Sequence, residues 1–153
     1  MKELNKFFLE SLDDSKLLAE KIAKFAKRSF VICLHGDLGS GKTTFARYFI
    51  NTLSKKKHNV QSPTFPMVYT YESTKFTIWH FDLYRLSLPQ EVFNLDYELA
   101  LDDIVIIEWP NIIQEYLPPN RVEIFFSEDL ALRRFATVRF CGNLGGLSFN
   151  NNE

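Results

Sequence analysis

The sequence predicts a three-layer α/β fold in which helices pack on a mixed sheet with a parallel core and antiparallel hairpin additions. Two apolar runs rich in β-branched residues, Phe30–Leu34 and Ile104–Ile107, are typical of strands covered on both faces. Segments with helical spacing precede and follow the first run. Residues 67–86 form two aromatic and β-branched runs joined by a short turn, which predict an antiparallel hairpin.

The N-terminal half contains two strand and helix pairs. A short strand in the stretch NKFFLE precedes a helix for which Ser11 or Asp13 is the expected N-cap. After a glycine-rich turn, a second helix ends in a cationic stretch, which suits the negative end of a helix dipole. Apolar residues at helical spacing predict that both helices cover the sheet, namely Leu18, Ile22 and Phe25 in the first and Phe45, Phe49 and Leu53 in the second.

The C-terminal half continues from the hairpin. Residues 88–103 predict a helix or turn that starts at Pro89, and residues 111–119 predict a short helix after the second apolar run. Residues 121–126 and 133–140 predict two closing strands.

The length of 153 residues predicts a single domain, which we place at residues 1–142. The last eleven residues, 143–153, are rich in glycine and asparagine and predict a flexible C-terminal tail. Cys33 lies in an apolar run, so we expect a buried thiol and no disulfide with Cys141.

The charge and hydropathy patterns exclude several classes of protein. The first 14 residues predict neither a signal peptide nor a membrane span, so we expect a cytoplasmic protein with no membrane partner. The formal net charge is −1, and the basic patch of a protein that grips nucleic acid unaided is missing. We therefore expect no DNA binding, and contact with RNA only through partner proteins.

The glycine-rich turn carries the strongest chemical signal. Gly36, Gly41, Lys42 and Thr43 satisfy the pattern G-x-x-x-x-G-K-[ST], which is the P-loop. Backbone N–H groups of such a loop surround a phosphate, the lysine bridges the β and γ phosphates, and the threonine hydroxyl binds Mg²⁺. A buried strand before the loop and an amphipathic helix after it are the context that this mechanism requires, so the predicted ligand is a nucleoside triphosphate with magnesium.

A P-loop site needs a second strand that ends in a carboxylate near the metal. Glu108 ends the second apolar run and is the first candidate, although it could also be a solvated strand end. Asp82 could contact the metal or the attacking water, or form an ion pair with Arg85. Trp109 is either a site residue or a core anchor. The two strand histidines, His35 and His80, are expected to be structural and not catalytic bases.

Four sequence blocks together resemble the TsaE (YjeE) family of small bacterial P-loop ATPases, over about Ser11 to Arg133. The blocks are GDLGSGKTTFAR, SPTF, HFDLYRL and IEWP. The resemblance implies the P-loop NTPase fold and a role in making threonylcarbamoyladenosine beside the anticodon of tRNAs that read codons beginning with adenine. It also implies that the protein works with TsaB and TsaD, while TsaC makes the threonylcarbamoyl adenylate donor.

The resemblance also implies roles for individual positions. Arg133 falls where the family often has an arginine near the nucleotide, and the adjacent Arg134 leaves the register open. Asp96 stands where a glycine is expected, and aspartate tolerates the left-handed conformation. The predicted site has Lys42, Asp82, Glu108 and Trp109 as catalytic residues, Leu12, Gly36, Leu38, Gly39, Ser40, Gly41, Lys42, Thr43, Asn111 and Arg133 at the nucleotide, and Thr43 and Glu108 at the metal.

Three functions are compatible with these residues. The first is an ATPase that resets the TsaB and TsaD complex in tRNA modification, which is what the resemblance implies. The second is a P-loop small-molecule kinase, although the arginine-rich lid typical of such enzymes is not visible in the sequence. The third is a nucleotide-responsive binding module. Because no general base stands out beside the P-loop, we expect slow hydrolysis by the protein alone.

Overall fold

A seven-stranded sheet forms the middle layer of the computed structural model, which describes residues 5–149. The order of strands and helices along the chain follows the order that the sequence predicts. The strands are β1 (Asn5–Phe8), β2 (Phe30–His35), β3 (Val68–Glu72), β4 (Thr77–Asp82), β5 (Ile104–Glu108), β6 (Arg121–Glu128) and β7 (Arg134–Cys141), and the α-helices are α1 (Leu12–Ala23), α2 (Lys42–Leu53) and α3 (Tyr97–Ala100). Three 3₁₀ helices cover Pro89–Leu95, Pro110–Tyr116 and Gly142–Gly146.

The strand order is β1-β7-β6-β2-β5-β4-β3, with parallel pairing throughout the four central strands. The outer pairs, β3 with β4, β6 with β7 and β7 with β1, are antiparallel. This arrangement confirms the predicted α/β fold with a parallel core and hairpin additions. It also places the carboxyl ends of β2, β4 and β5 side by side, where open α/β sheets bind their ligands.

Two apolar clusters lie on opposite faces of the sheet because side chains alternate along each strand. On one face, α1 and α2 bury Leu18, Ile22, Phe45 and Phe49 against alternate residues of the central strands. On the other face, α3 and residues of the neighbouring 3₁₀ helices cover β2, β4 and β5, with Tyr97 among the largest fully buried side chains. The rigid middle layer fixes the strand ends at which the functional side chains stand.

Local sequence signals explain the helix boundaries. The Ser11 hydroxyl accepts a hydrogen bond from the Asp14 amide at 3.4 Å, and the Asp14 carboxylate accepts one from the Ser11 amide at 3.1 Å. This reciprocal capping box makes Ser11, and not Asp13, the N-cap of α1. Asp96 adopts φ 60° and ψ 32°, the left-handed conformation expected at that position.

Residues 143–149, which the sequence assigns to a flexible C-terminal tail, pack against the domain. Leu144 is buried, and the Phe149 ring lies 5.0 Å from the Phe7 ring and 5.7 Å from the Phe25 ring, measured between centroids. Apolar side chains spaced through this segment therefore anchor it to the face that carries α1. Residues 150–153 lie outside the described part of the chain. Within residues 5–149, no helix is long and apolar enough to cross a membrane.

Candidate nucleotide and metal site

The loop between β2 and α2 has the backbone geometry of a phosphate cradle. Gly36 and Gly41 adopt φ values of 154° and 109°, which L-residues with a side chain rarely adopt. A Cβ on Gly36 would lie 2.5 Å from the Ser40 hydroxyl oxygen and 3.0 Å from the Phe126 carbonyl oxygen, so no other residue fits. The glycine of the P-loop pattern at position 36 is therefore required by the close approach of the loop backbone to Ser40 and Phe126.

The N-terminus of α2 opens directly from this loop. Gly41 is the N-cap and offers no side chain to cap the first turn. The Ser40 hydroxyl is buried and has no hydrogen-bond partner among the described residues. Uncapped N–H groups at a helix N-terminus, together with this buried hydroxyl, fit an anionic group such as a phosphate.

Lys42 is held over the loop by three contacts. Its ammonium donates to the carbonyl oxygens of Gly36 and of Asp37, the latter at 3.0 Å. The same nitrogen lies 4.1 Å from the centroid of the Trp109 ring, a cation–π distance. Burial lowers the pKa of Lys42, while the nearby carboxylates of Glu108 and Asp82 oppose that effect. The cation is thus fixed where a phosphate in the loop would meet it.

Thr43 and Glu108 meet across the gap between α2 and β5. The Thr43 hydroxyl lies 3.1 Å and 3.0 Å from the two oxygens of the Glu108 carboxylate, which is 3% exposed. Glu108 ends β5 beside Leu34 of β2, so the carboxylate stands at the carboxyl edge of the parallel core. The alternative of a solvated strand end is therefore wrong for Glu108.

Asp82 lies next to Glu108 in the β4–β5 register and is also 3% exposed. Its carboxylate accepts hydrogen bonds from the Ser62 hydroxyl at 2.6 Å and the Thr64 hydroxyl at 3.2 Å, both in the loop before β3. The Tyr84 amide donates to its other oxygen at 3.0 Å. The alternative ion pair with Arg85 is not formed, because Arg85 donates to the Phe65 carbonyl and stacks on the Phe65 ring.

A cavity of about 320 Å³ connects these groups. It is lined by Leu38–Thr44, Ser62, Thr64, Asp82, Glu108, Trp109 and Arg134. An adjoining cavity of about 420 Å³ runs from Ser40, Gly41 and Thr44 to Leu12 and the turn before α1. P-loop residues Leu38–Thr43, both carboxylates, Trp109 and Leu12 therefore surround two adjoining cavities.

Two predicted nucleotide residues lie elsewhere. Arg133 folds back onto Asp129, with its Nε 2.9 Å from a carboxylate oxygen, whereas Arg134 lines both cavities beside the P-loop. Asn111 is exposed and lines neither of these two cavities. Arg133 and Asn111 thus lie away from these two cavities, and Arg134 is the arginine that faces this region.

His80, which the sequence suggests is a structural residue, contacts the site. Its side chain is fully buried and its Nε2 lies 2.6 Å from the Glu108 carboxylate. A signal for this contact was present, because His80 and Asp82 are two residues apart on one strand and therefore share a face. Ser62 and Thr64, which bind Asp82, were also missed, although they belong to the SPTF block that carried the resemblance.

The donor set suits magnesium and nucleotide. Thr43, Glu108 and Asp82 supply oxygen ligands only, and residues 5–149 contain no cluster of three or more His, Cys, Asp or Glu side chains that could hold a metal. Mg²⁺ is usually held by one or two carboxylates together with substrate phosphates and water, whereas a dedicated protein cage is typical of other metals. A site with a hydroxyl, two carboxylates and a phosphate cradle fits that description.

The loop, the fixed lysine and the strand-end carboxylates define a P-loop nucleotide-binding protein. A family model described as "Threonylcarbamoyl adenosine biosynthesis protein TsaE" matches residues 9–135 of the chain. The chain therefore belongs to the TsaE family, which is involved in the biosynthesis of threonylcarbamoyladenosine in tRNA.

Individual relatives support the same membership. The "tRNA threonylcarbamoyladenosine biosynthesis protein TsaE" of Rickettsia felis is 40% identical over 117 residues, which cover 76% of this chain and 68% of the relative. The protein of the same name from Bacillus subtilis is 36% identical over 131 residues, 86% of this chain and 82% of its own. The crystal structure of Bacillus subtilis YdiB has a TM-score of 0.73 at 28% identity, and the match covers 94% of this chain and 89% of that one.

Proposed function

We propose that this protein is a magnesium-dependent ATP hydrolase that acts with TsaB and TsaD in tRNA modification. The modification is the threonylcarbamoylation of the adenosine next to the anticodon in tRNAs that read codons beginning with adenine. The observation that carries the ATPase proposal is the contact of the Thr43 hydroxyl with the Glu108 carboxylate at 3.0 Å, beside the cradle and Lys42. The partnership rests on family membership, and we expect tRNA to be reached only through the complex.

Each side chain has a distinct role in this proposal. The loop N–H groups and Ser40 would bind the phosphates, and the Lys42 ammonium would neutralise charge that develops on the transferring phosphoryl group. Thr43 and Glu108 would hold the magnesium ion, which when bound supplies further charge stabilisation at the phosphate oxygens. Trp109 would help to hold Lys42 in place, because the Lys42 ammonium lies 4.1 Å from the centroid of the Trp109 ring.

The geometry also supports slow hydrolysis by the protein alone. Asp82 already accepts three hydrogen bonds, so it has little capacity left to orient an attacking water. The Arg134 side chain is 56% exposed and lies 3.8 Å from Glu128, and no hydrogen bond within residues 5–149 holds it over the P-loop. A missing arginine finger is worth about 10³ to 10⁵ in rate, so a partner protein that completes the site would accelerate turnover.

ADP formation by the purified protein tests this proposal, measured alone and with TsaB and TsaD. We expect the partners to raise the rate at least about tenfold, which requires only ~1.4 kcal/mol of transition-state stabilisation. Lys42→Ala is the control and should lower the stimulated rate about 10²- to 10³-fold, because its charge is not replaced. The same reaction with a panel of small metabolites tests the kinase alternative, and turnover that needs an acceptor and ignores TsaB and TsaD would contradict the proposal.

A reconstitution separates the ATPase from its pathway. Purified components that modify tRNA should complete multiple turnovers with this chain and stall after few turnovers without it. Sustained multiple turnover in its absence would show that the chain is dispensable for the cycle, even if ATP hydrolysis is confirmed.

A further inference from the structure

His80 is an unusual residue for its surroundings. Its side chain is completely buried in β4, on the sheet face that α2 covers, between Ile78 and Asp82 on the same face. Apolar side chains fill most of this face of the central strands. A leucine or phenylalanine would be buried there at lower cost, because burial of a polar ring is unfavourable unless its nitrogens are hydrogen-bonded.

Only one of the two ring nitrogens of His80 has a partner among the described residues. The Nε2 atom lies 2.6 Å from one oxygen of the Glu108 carboxylate, whereas Nδ1 is buried without a hydrogen-bond partner. An ionised carboxylate can only accept, so Nε2 carries the proton and donates it. Within residues 5–149, the hydrogen bond to Glu108 is therefore the one that the His80 side chain makes.

Two side chains hydrogen-bond to Glu108, and they differ in rigidity. The Thr43 hydroxyl lies within 3.1 Å of both carboxylate oxygens, but a hydroxyl rotates freely and this one is also a proposed metal ligand. The imidazole of His80 is fixed by burial within a central strand, and it contacts the single oxygen Oε2. His80 is thus the donor that can set the orientation of the carboxylate independently of Thr43.

We propose that His80 is the positioning residue of the metal site: it holds Glu108 so that the carboxylate faces Thr43 and the P-loop. The inference rests on the proposed role of Glu108 as a magnesium ligand. Groups that orient a metal ligand from behind commonly change metal affinity by about 10- to 100-fold when they are removed. Within residues 5–149 His80 makes no hydrogen bond to the P-loop or to Thr43, so its effect passes through Glu108.

The test compares His80→Leu with His80→Gln. The leucine removes the donor, whereas the amide nitrogen of glutamine lies about where Nε2 lies and restores it. Calorimetric titration of ATP at a series of Mg²⁺ concentrations gives the apparent affinity for Mg²⁺ without reference to turnover. We expect His80→Leu to weaken that affinity at least about tenfold and His80→Gln to remain within about threefold of the wild type.

The chain offers a matched control in His35, whose Nε2 lies 2.9 Å from the Glu123 carboxylate on β6. His35→Leu should alter thermal stability and leave the Mg²⁺ dependence unchanged. If His80→Leu does not fold, His80→Asn replaces it as the donor-lacking variant, because the shorter amide cannot reach Glu108. The difference in Mg²⁺ affinity between His80→Asn and His80→Gln then tests the positioning role. Equal Mg²⁺ dependence of the donor-lacking variant and the wild type overturns the inference.

Glu108→Gln separates this inference from the proposed function. If the wild type itself binds ATP with no dependence on Mg²⁺, the proposed metal site fails and the positioning role fails with it. If Glu108→Gln loses the dependence while the donor-lacking His80 variant keeps it, the metal site stands and only the role of His80 is overturned. Loss of the dependence in both, with recovery in His80→Gln, supports both.

Discussion

Two buried glutamates flank β2, and they show how the same side chain can be used in opposite ways. Glu108 ends β5 beside Leu34, and Glu123 lies in β6 beside Cys33, so the two carboxylates point to opposite faces of the sheet. Each is 3% exposed, and each accepts a hydrogen bond from the Nε2 atom of a histidine. Burial alone therefore does not distinguish them.

Their other partners do distinguish them. Glu123 is bound by the guanidinium groups of Arg139 at 2.7 Å and Arg121 at 3.3 Å, and also by the Cys141 thiol. The hydrogen bond from His35, followed by the hydrogen bond from Arg139 and the charge of Arg121, outweighs the effect of burial and holds the pKa of Glu123 far below its usual range. Among residues 5–149, Glu108 has hydrogen bonds from His80 and Thr43 but no ion pair with arginine or lysine.

A buried carboxylate that is paired with cationic side chains, such as Glu123, has a structural role. A buried carboxylate without such a pair, such as Glu108, can bind a metal ion. Two guanidinium groups neutralise Glu123, so it has no need of a further cation. The nearest cation to Glu108 acts on it only through space, because the Lys42 ammonium is engaged by loop carbonyls. Among residues 5–149 Glu108 has no arginine or lysine as an ion-pair partner, so its carboxylate can take a divalent cation as a counter-charge.

The largest expected effect is on the free energy of unfolding. Glu123→Gln removes the charge that compensates two arginines and should cost about 3 kcal/mol, as breaking a buried ion pair does. Glu108→Gln keeps the shape of the side chain and breaks no ion pair with arginine or lysine, so we expect a change within about 1 kcal/mol. Urea denaturation of both variants measures the two values.

Equal destabilisation by Glu123→Gln and Glu108→Gln would contradict the view that only Glu123 has a structural role. Arg139→Gln provides the matched control: it removes one partner of Glu123 and leaves Arg121 and His35 in place. It should therefore fall between Glu123→Gln and the wild type.

The next effect is on the acid side of the stability curve. The pKa of Glu123 is lowered in the folded state from its usual 4.5, so its stabilising contribution is complete above about pH 4.5 and is lost as the pH falls further. We expect the free energy of unfolding to decline as the pH falls below about 4.5, and to decline less in Glu123→Gln. An identical acid dependence in wild type and variant would remove Glu123 as its cause.

The smallest expected effect is optical and concerns the Glu108 side alone. Trp109 stacks over Lys42, so ATP with Mg²⁺ should change tryptophan fluorescence when the ammonium turns to a phosphate. Trp109→Phe should remove most of that change. Trp79 is the internal control because its indole bonds to Asp103 at 3.3 Å and stacks on Phe81, away from the loop. A signal that survives in Trp109→Phe and vanishes in Trp79→Phe would place the response in the core.

Contiguous motifs made the P-loop and the end of β5 predictable from sequence. The strand, the glycine turn and the helix are adjacent in the chain, so the loop needs no long-range information to be recognised. His80 was not recognised as a site residue because its contact with Glu108 spans 28 residues and depends on the parallel register of β4 and β5. Such a register is set by packing of the whole sheet, which periodicity does not reveal.

The sequence leaves open which of the two adjacent arginines faces the site, and a local turn gives them different surroundings. Leu132 adopts φ 61°, a left-handed turn that returns the Arg133 backbone and side chain to Asp129. Strand β7 then begins at Arg134, which lines the cavities. Leucine rarely adopts this conformation, so nothing in the sequence indicated the turn. The buried anchors of residues 143–149 were visible as apolar residues, but glycine and asparagine around them suggested a frayed end.

The neighbouring positions of Asp82 and Glu108 would make the stability of the folded chain depend on the binding of a cation and a nucleotide. Two acidic side chains, each 3% exposed, occupy adjacent register positions at the ends of β4 and β5. A cation and a nucleotide that bind only the folded state would stabilise it by about 2.7 kcal/mol at a hundred times the dissociation constant. On the proposed function, a cell rich in ATP would hold this protein folded and abundant, and a starved cell would expose it to proteolysis, so that its amount would follow the energy supply.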